Sequence, residues 1–222
     1  MKVKKLVYGV GINDSEYKVT EYEYTGGKNC NGVLERREVW RCPFYKKWTD
    51  MLARCYSKNK AYAYVGVTVC EEWLLFSNFR KWMVVQEESL GSLVGLHLDK
   101  DLLVIGNKVY SSVTCVFIEK RINDFVKDNS RYRGTCMLGA HLIKSIGKFK
   151  SECSNPLSKE GDTRGKYIGY FDTEIEAHLA WKKRKHEYSY LLAGSKYVTD
   201  GKVKKILLTR YKNYTRVEEH LS

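Results

Sequence analysis

"GLHLDKDLL", residues 95–103, sets His97, Asp99 and Asp101 at alternate positions. In an extended strand successive side chains point to opposite faces. Those three would then share one face, and Leu96, Leu98 and Leu102 the other, with Lys100 interrupting the apolar side. Three groups able to bind a metal or move a proton within five residues make either a reactive strand or a charged edge strand. What flanks them decides between the two.

Downstream, "KVYSSVTCVFI" (108–118) reads as a second extended segment and "EKRINDFVKD" (119–128) as a short helix. Upstream, the loop "SLGSLVG" (89–95) follows a helix through "NFRKWMVVQEE", with Ser77 as its cap and Phe79, Trp82 and Met83 facing inward. "CPFYKKWTDMLARCYS" (42–57) places Phe44, Trp48, Met51, Leu52 and Cys55 on one helical face, with Lys46, Lys47, Asp50 and Arg54 outside. Pro43 suits its first turn. "KKLVYGVGI" (4–12), "YKVTEYEYTGGKNCNG" (17–32) and "AYVGVTVCEEW" (63–73) read as strands and turns.

The chain has 222 residues, 43% of them hydrophobic and 13% aromatic, enough to build real cores rather than a disordered chain. Its net charge of +13 implies a polyanionic partner. From Arg131 onward there are 19 lysines and arginines against 10 acids, a net of +9, which leaves +4 for residues 1–130. The last part of the chain is therefore the expected polyanion-binding part. Seven cysteines without paired spacing, no transmembrane-length apolar run and no export signal predict a reduced, intracellular protein that does not enter membranes.

After the polar "KDNSR" (127–131), a candidate boundary, "RYRGTCML" (131–138), "GKFKSECSN" (147–155) and "GKYIGYF" (165–171) read as three strands. "DTEIEAHLAWKKRKHEYSYLLA" (172–193) is a helix opened by a Thr173–Glu176 capping box. Its expected packing stripe is Ile175, Leu179, the Lys182 stem and His186, flanked by Ala177, Trp181 and Tyr188. A last basic helix follows in "DGKVKKILLTRYKNY" (200–214). Three strands and a helix in so few residues predict a small α+β module. With a capping box and a charge of +9, this piece is expected to fold and bind duplex DNA alone.

The residues from "HLDKDLLVIGNKVYSSVTCVFIEKRINDF" (97–125), with "YGVGIND", "YKKWTDMLARCYS" and "YVGVTVCEEWLLFSNFRKWM" before them, resemble the phage-type HNH homing endonucleases over roughly residues 8–127. The resemblance implies a ββα-metal nuclease domain, an intracellular site of action in a phage-infected bacterium, and one Mg²⁺ or Mn²⁺ ion. That ion would be held by Asp99 on the first strand and Asn123 on the helix, with Thr114 in the place of the hairpin-propping asparagine and Asp101 in support. The family's base position falls on Lys100. A lysine ammonium holds its proton too tightly near neutrality to serve as that base. His97 is the better candidate base, and Lys100 a phosphate contact. A zinc site from Cys30, Cys42, Cys55 and Cys70 is the lesser alternative, since no Cys-x-x-Cys pair is present.

Residues 132–189, through "YRG", "GKF" and "GKYIGYFDTEIEAHLAW", resemble the Apetala-two or ethylene-response-factor DNA-binding domain. That resemblance implies a three-stranded antiparallel sheet lying in the major groove, with Arg133, Lys148, Glu152 and Tyr167 at contact positions and Lys150 and Lys166 beside them. Cys136 and Ser154 stand where arginines are common, and Phe149 and Tyr167 where tryptophans are, so the recognised sequence does not carry over. "WKKRK" (181–185) is expected to be a solvated helix face rather than a phosphate clamp. The expectation is an α+β, two-domain, site-specific endonuclease that acts as a monomer on double-stranded DNA. Its nuclease domain would span 1–130, and its DNA-binding domain, with a basic C-terminal helix, 131–222. The alternatives are a catalytically inactive DNA-binding regulator of the same descent, or an RNA- or nucleoprotein-binding module in which the hairpin is only structural.

Overall fold

The computed structural model describes residues 5–127, 135–159, 161–162 and 165–212, which form a mixed α+β arrangement with small sheets. Contacts divide the chain into two compact units. One comprises Met1–Leu93 with Val104–Cys115, the other Val94–Leu103 with Val116–Ser222. The junction expected from sequence, at 130/131, lies outside the described residues, and the partition by contacts runs along a different line. Among the described residues no helix is long and apolar enough to cross a membrane.

In the first unit, β1 (Thr20–Lys28) and β2 (Leu34–Arg41) form an antiparallel hairpin exposed along most of its length. Asn29 Oδ1 closes the turn by accepting the N–H groups of Asn31 and Val33. The amphipathic pattern then gives α1 (Pro43–Tyr56), which buries Trp48, Met51, Leu52 and Cys55 as its spacing predicts, although Phe44 is only half-buried and Lys47, Asp50 and Arg54 are half-buried rather than outside. In α2 (Phe76–Leu90), Phe79 and Met83 are buried and Trp82 half-buried. Ser77 is not its cap. It lies inside the first turn, and Asp14 caps from a distance, Oδ1 accepting the Ser77 N–H at 2.9 Å and Oδ2 its hydroxyl at 2.6 Å.

The Trp48 indole N–H donates to the Trp73 carbonyl at 2.7 Å, which lets the largest side chain of this core be buried without a stranded donor. Burying such a side chain stabilises the fold by roughly 1.5–3 kcal/mol. Gly11 is required beside it, since a Cβ there would collide with Trp48 and Leu52. Within the predicted strand 4–12 the described residues form two isolated bridges, Val7 with Gly11 and Ile12 in parallel with Leu75, because Tyr8 and Gly9 turn back at positive φ. Of 63–73 only Thr68–Val69 (β3) is extended, pairing in parallel with Val109–Tyr110 (β5).

In the second unit, β4 (His97–Asp99) pairs antiparallel with β6 (Val116–Ile118) and is followed by α3 (Lys120–Val126). The predicted extended segment 108–118 is thus two strands, parted by a turn at Ser111–Thr114. Three further strands, β7 (Ala140–Ile143), β8 (Lys148–Glu152) and β9 (Tyr167–Phe171), form an antiparallel sheet in that order. The first of them is not at 131–138. Residues 135–138 are turn and irregular chain, 131–134 lie outside the described residues, and the strand begins after Gly139. Gly139 has φ +77°, and a Cβ on it would land in the Trp181 indole, so the chain crosses Trp181 there before it can extend.

Helix α4 (Glu174–Ala193) packs on this sheet and starts at the predicted capping box, with Thr173 Oγ1 accepting the Glu176 N–H. Its buried stripe differs from the expected one. Ala177, His178, Trp181, Ser189, Leu192 and Ala193 face inward, while Ile175 and Leu179 are 41% and 48% exposed. Ser151 Oγ, buried beneath the helix, donates to the Ala177 carbonyl at 2.8 Å. Helix α5 (Gly201–Thr209) is capped by Asp200 and buries Val203 and Leu207 against α4.

One apolar cluster joins the strand pair and α3 to the sheet-bearing part of this unit. Leu102, Val116, Ile118, Ile122 and Phe125 from the strand pair and α3 bury together with Cys153, Trp181, Leu192, Leu207 and Tyr211. The expectation that residues 131–222 fold alone therefore changes. A fragment starting at Arg131 uncovers the Trp181 and Tyr211 side of its core and should melt at lower temperature and less cooperatively than the full chain. Thermal unfolding followed by circular dichroism measures this; a fragment as stable as the same unit in the whole protein would overturn the shared-core account.

Candidate functional site

The alternation read from "GLHLDKDLL" holds for three residues. His97 and Asp99 lie half-buried on one face of β4 and Leu98 buried on the other, in register with Ile118, Val116 and Phe117 and without a bulge. The strand then ends. Asp99 Oδ1 accepts the backbone N–H groups of Asp101 (2.9 Å) and Leu102 (2.6 Å), folding the chain into a side-chain-closed turn. Asp101 is thereby taken off the face it was expected to share with His97 and Asp99. Its carboxylate instead meets Lys100 Nζ at 2.5 Å.

Lys100 is only 6% exposed, and its ion pair turns it to a neighbour within the turn. Asn123 lies half-buried on α3, which contacts β4, while Ile122 and Phe125 of the same helix bury with Val116 and Ile118 of β6. Thr114 belongs to the first unit. There its hydroxyl donates to the Val109 carbonyl at 2.8 Å and meets Ser111 Oγ at 2.8 Å, holding the turn that separates β5 from β6.

The donor set suits the implied ion. Burial pushes the Asp99 carboxyl above the usual range despite two N–H donors, so a nearby cation would relieve an undercompensated carboxylate. Oδ2 takes no part in the two backbone bonds. A carboxylate and an amide oxygen are hard donors of the kind Mg²⁺ and Mn²⁺ accept while keeping several waters. Among the described residues no group of three or more His, Cys, Asp or Glu side chains is placed to hold a metal, so the zinc alternative finds no such cluster there. Cys42 and Cys55 are buried, Cys70 is half-buried and Cys30 is exposed.

On the three-stranded sheet, alternation directs Phe149 and Ser151 toward α4 and Lys148, Lys150 and Glu152 away from it. The register adds His141 and Tyr170 opposite Lys150, and a bulge after Ser151 brings Tyr167 opposite Glu152. Tyr167 and Tyr170 meet edge to face at 5.5 Å, and Lys150 and Lys166 flank Glu152 at 2.8 and 3.8 Å. Burial raises the Glu152 carboxyl, but the two ammonium groups outweigh it and hold it below the usual range. Lys148 pairs with Asp172 at 2.9 Å. The predicted contact residues Lys148, Lys150, Glu152, Lys166 and Tyr167 thus gather on one outer surface, and Arg133 lies outside the described residues. Sequence reasoning misses His141 and Tyr170, since it starts the first strand before Gly139 and marks Tyr170 only as a strand residue.

No family model, curated protein or solved structure matches the chain. Its function is therefore argued from these two surfaces.

Proposed function

We propose that this chain is a metal-dependent DNA endonuclease, with an HNH-like ββα site at β4, β6 and α3 and an Apetala-two-like sheet, β7 to β9, that docks on duplex DNA. The observation that carries the reading is the presence, in one packed unit, of a strand pair and helix bearing His97, Asp99 and Asn123 and of a sheet whose outer face is basic and aromatic. The major groove admits such a ribbon, lysines supply phosphate contacts, and tyrosines stack or donate hydrogen bonds at base edges. The ion, when bound by Asp99 and Asn123, supplies charge stabilisation at the scissile phosphate. His97 would take a proton from the attacking water as the new P–O bond forms and the P–O3′ bond breaks, and a solvent water would protonate the leaving 3′ oxygen.

A second reading, a non-cleaving DNA-binding regulator, is favoured by one observation. The base position of the resemblance carries Lys100, and that ammonium is occupied by Asp101 inside the fold. Supercoiled plasmid with and without Mg²⁺ separates the two. Nicking or linearisation that a chelator stops supports the nuclease; binding without any strand scission supports the regulator.

The sheet face has its own test. Lys150→Ala with Tyr167→Ala should weaken binding to short duplex DNA by roughly 10- to 100-fold, at about 1–3 kcal/mol for a base or stacking contact. Wild-type affinity should fall steeply with salt as phosphate contacts release counterions. Unchanged affinity in the double variant would remove the sheet from the interface.

A further inference from the structure

We propose that Lys185 is a strut that fixes α3, and with it Asn123 and the β4 strand, to the sheet-bearing module, so that strand scission falls at a set offset from the recognised sequence. The offset part of this inference rests on the endonuclease reading; the strut itself does not. "WKKRK" was expected to be a solvated face, but its last lysine turns inward. From α4, Lys185 Nζ donates to the Phe125 carbonyl at 2.5 Å and sits 3.7 Å over the Phe125 ring, with the Tyr211 and Trp181 rings at 5.4 and 5.8 Å.

Phe125 lies in the last turn of α3, where backbone carbonyls have no donor within the helix and the helix dipole favours a cation. A helix of seven residues has little stability of its own, so such an external donor decides whether its last turn stays formed. Two more ties reach the same small element and its strand. Arg121 lies 3.7 Å over the Tyr197 ring and donates to the Pro156 carbonyl at 3.0 Å, and Arg210 donates to the Leu102 carbonyl at 3.4 Å. The hairpin-helix and the sheet-helix are therefore held by directional cation contacts as well as by common apolar packing.

The arrangement is expensive, which is informative. Burial pushes the Lys185 ammonium down to about 8, with Arg210 pushing the same way and Cys153 opposing; Tyr211 is the other titratable group facing it. A methionine of similar length would fill the space without that penalty. Keeping a cation there secures a direction and a length that an apolar side chain does not.

The test uses the full-length protein and its Lys185→Met and Lys185→Arg variants. Hydrogen exchange at the α3 amides should accelerate roughly tenfold or more in Lys185→Met and return toward wild type in Lys185→Arg. Duplex affinity should stay within about twofold, because the residue lies away from the sheet's outer face. Cleavage mapped to single nucleotides should change from one position to several, at a rate lower by up to roughly 10²-fold, the cost of an ångström-scale misplacement. Wild-type stability should rise between pH about 8 and 10.5, where the unfolded chain binds the proton that folded Lys185 has lost, and that rise should vanish in Lys185→Met.

Unchanged α3 exchange together with unchanged cut positions in Lys185→Met overturns the strut. A wild-type protein that never cleaves overturns the endonuclease reading instead, and the exchange comparison still decides the strut. If Lys185→Met does not fold, Tyr197→Leu, which removes the platform under Arg121, is subjected to the same exchange and mapping.

Discussion

Asp99→Ala is expected to lower Mg²⁺-dependent plasmid cleavage by more than about 10²-fold, beyond the 10- to 100-fold typical for residues behind a ligand. Duplex affinity should be almost unaffected. The asymmetry follows from placement: Asp99 ends β4, whereas the basic and aromatic surface belongs to β7, β8 and β9. Alanine alone is an imperfect probe, because Asp99 Oδ1 also accepts the N–H groups of Asp101 and Leu102. Losing that acceptor strands two donors and costs roughly 1–3 kcal/mol of local stability for each one kept from water. Asp99→Asn keeps a carbonyl oxygen for the turn while removing the charge. Both variants should be inactive, with Asp99→Asn melting near the wild type. Full cleavage by Asp99→Asn would detach the residue from the reaction.

His97→Ala should cut the rate by roughly 10²–10⁴-fold, the scale of a lost general base, with unchanged DNA binding. The unbulged register of β4 places His97 and Asp99 on one face about 6.7 Å apart along the strand, within reach of a water shared with a phosphate. Added imidazole should restore part of the activity of His97→Ala. Lys100→Ala should act differently. Its side chain is buried and its ammonium paired with the half-exposed Asp101, so its removal should lower thermal stability and affect turnover only to the extent that the turn loosens. A His97→Ala protein with near-normal turnover, beside a Lys100→Ala protein that is dead but melts like wild type, would transfer the base role to Lys100.

What could be read in advance was local, and what could not was long-range. The start of α4 was readable because Thr173 and Glu176 satisfy orphan backbone donors within four residues. Helix α1 was readable because its apolar spacing repeats over a dozen residues. The cap of α2 was not, since Asp14 lies 63 residues from Ser77. Strand β7 was misplaced because what delays it is the passage of Gly139 across Trp181, a contact spanning some forty positions. His97 and Asp99 were found together because a two-residue period is intrinsic to a strand, whereas Asp101 left their face when an Asp99 side-chain bond ended the strand. Lys185 read as solvent-facing because a lysine in a basic run usually is. Its partners, Phe125 and Tyr211, come from segments on either side of it in the chain.

The shared core also limits where this chain can be cut and rejoined. The polar stretch near residue 130 is where recombination would most easily be imagined, each side inherited as a cassette. A crossover there parts Ile122 and Phe125 from Trp181, Leu207 and Tyr211, all of one core. A chimaera carrying a different sheet must therefore also carry matching Val94–Leu103 and Val116–Val126 segments, or new side chains across the seam. On the proposed reading, DNA preference would change by substitution on the sheet's outer face, at positions such as His141, Lys150 and Tyr170, more readily than by exchange of whole pieces.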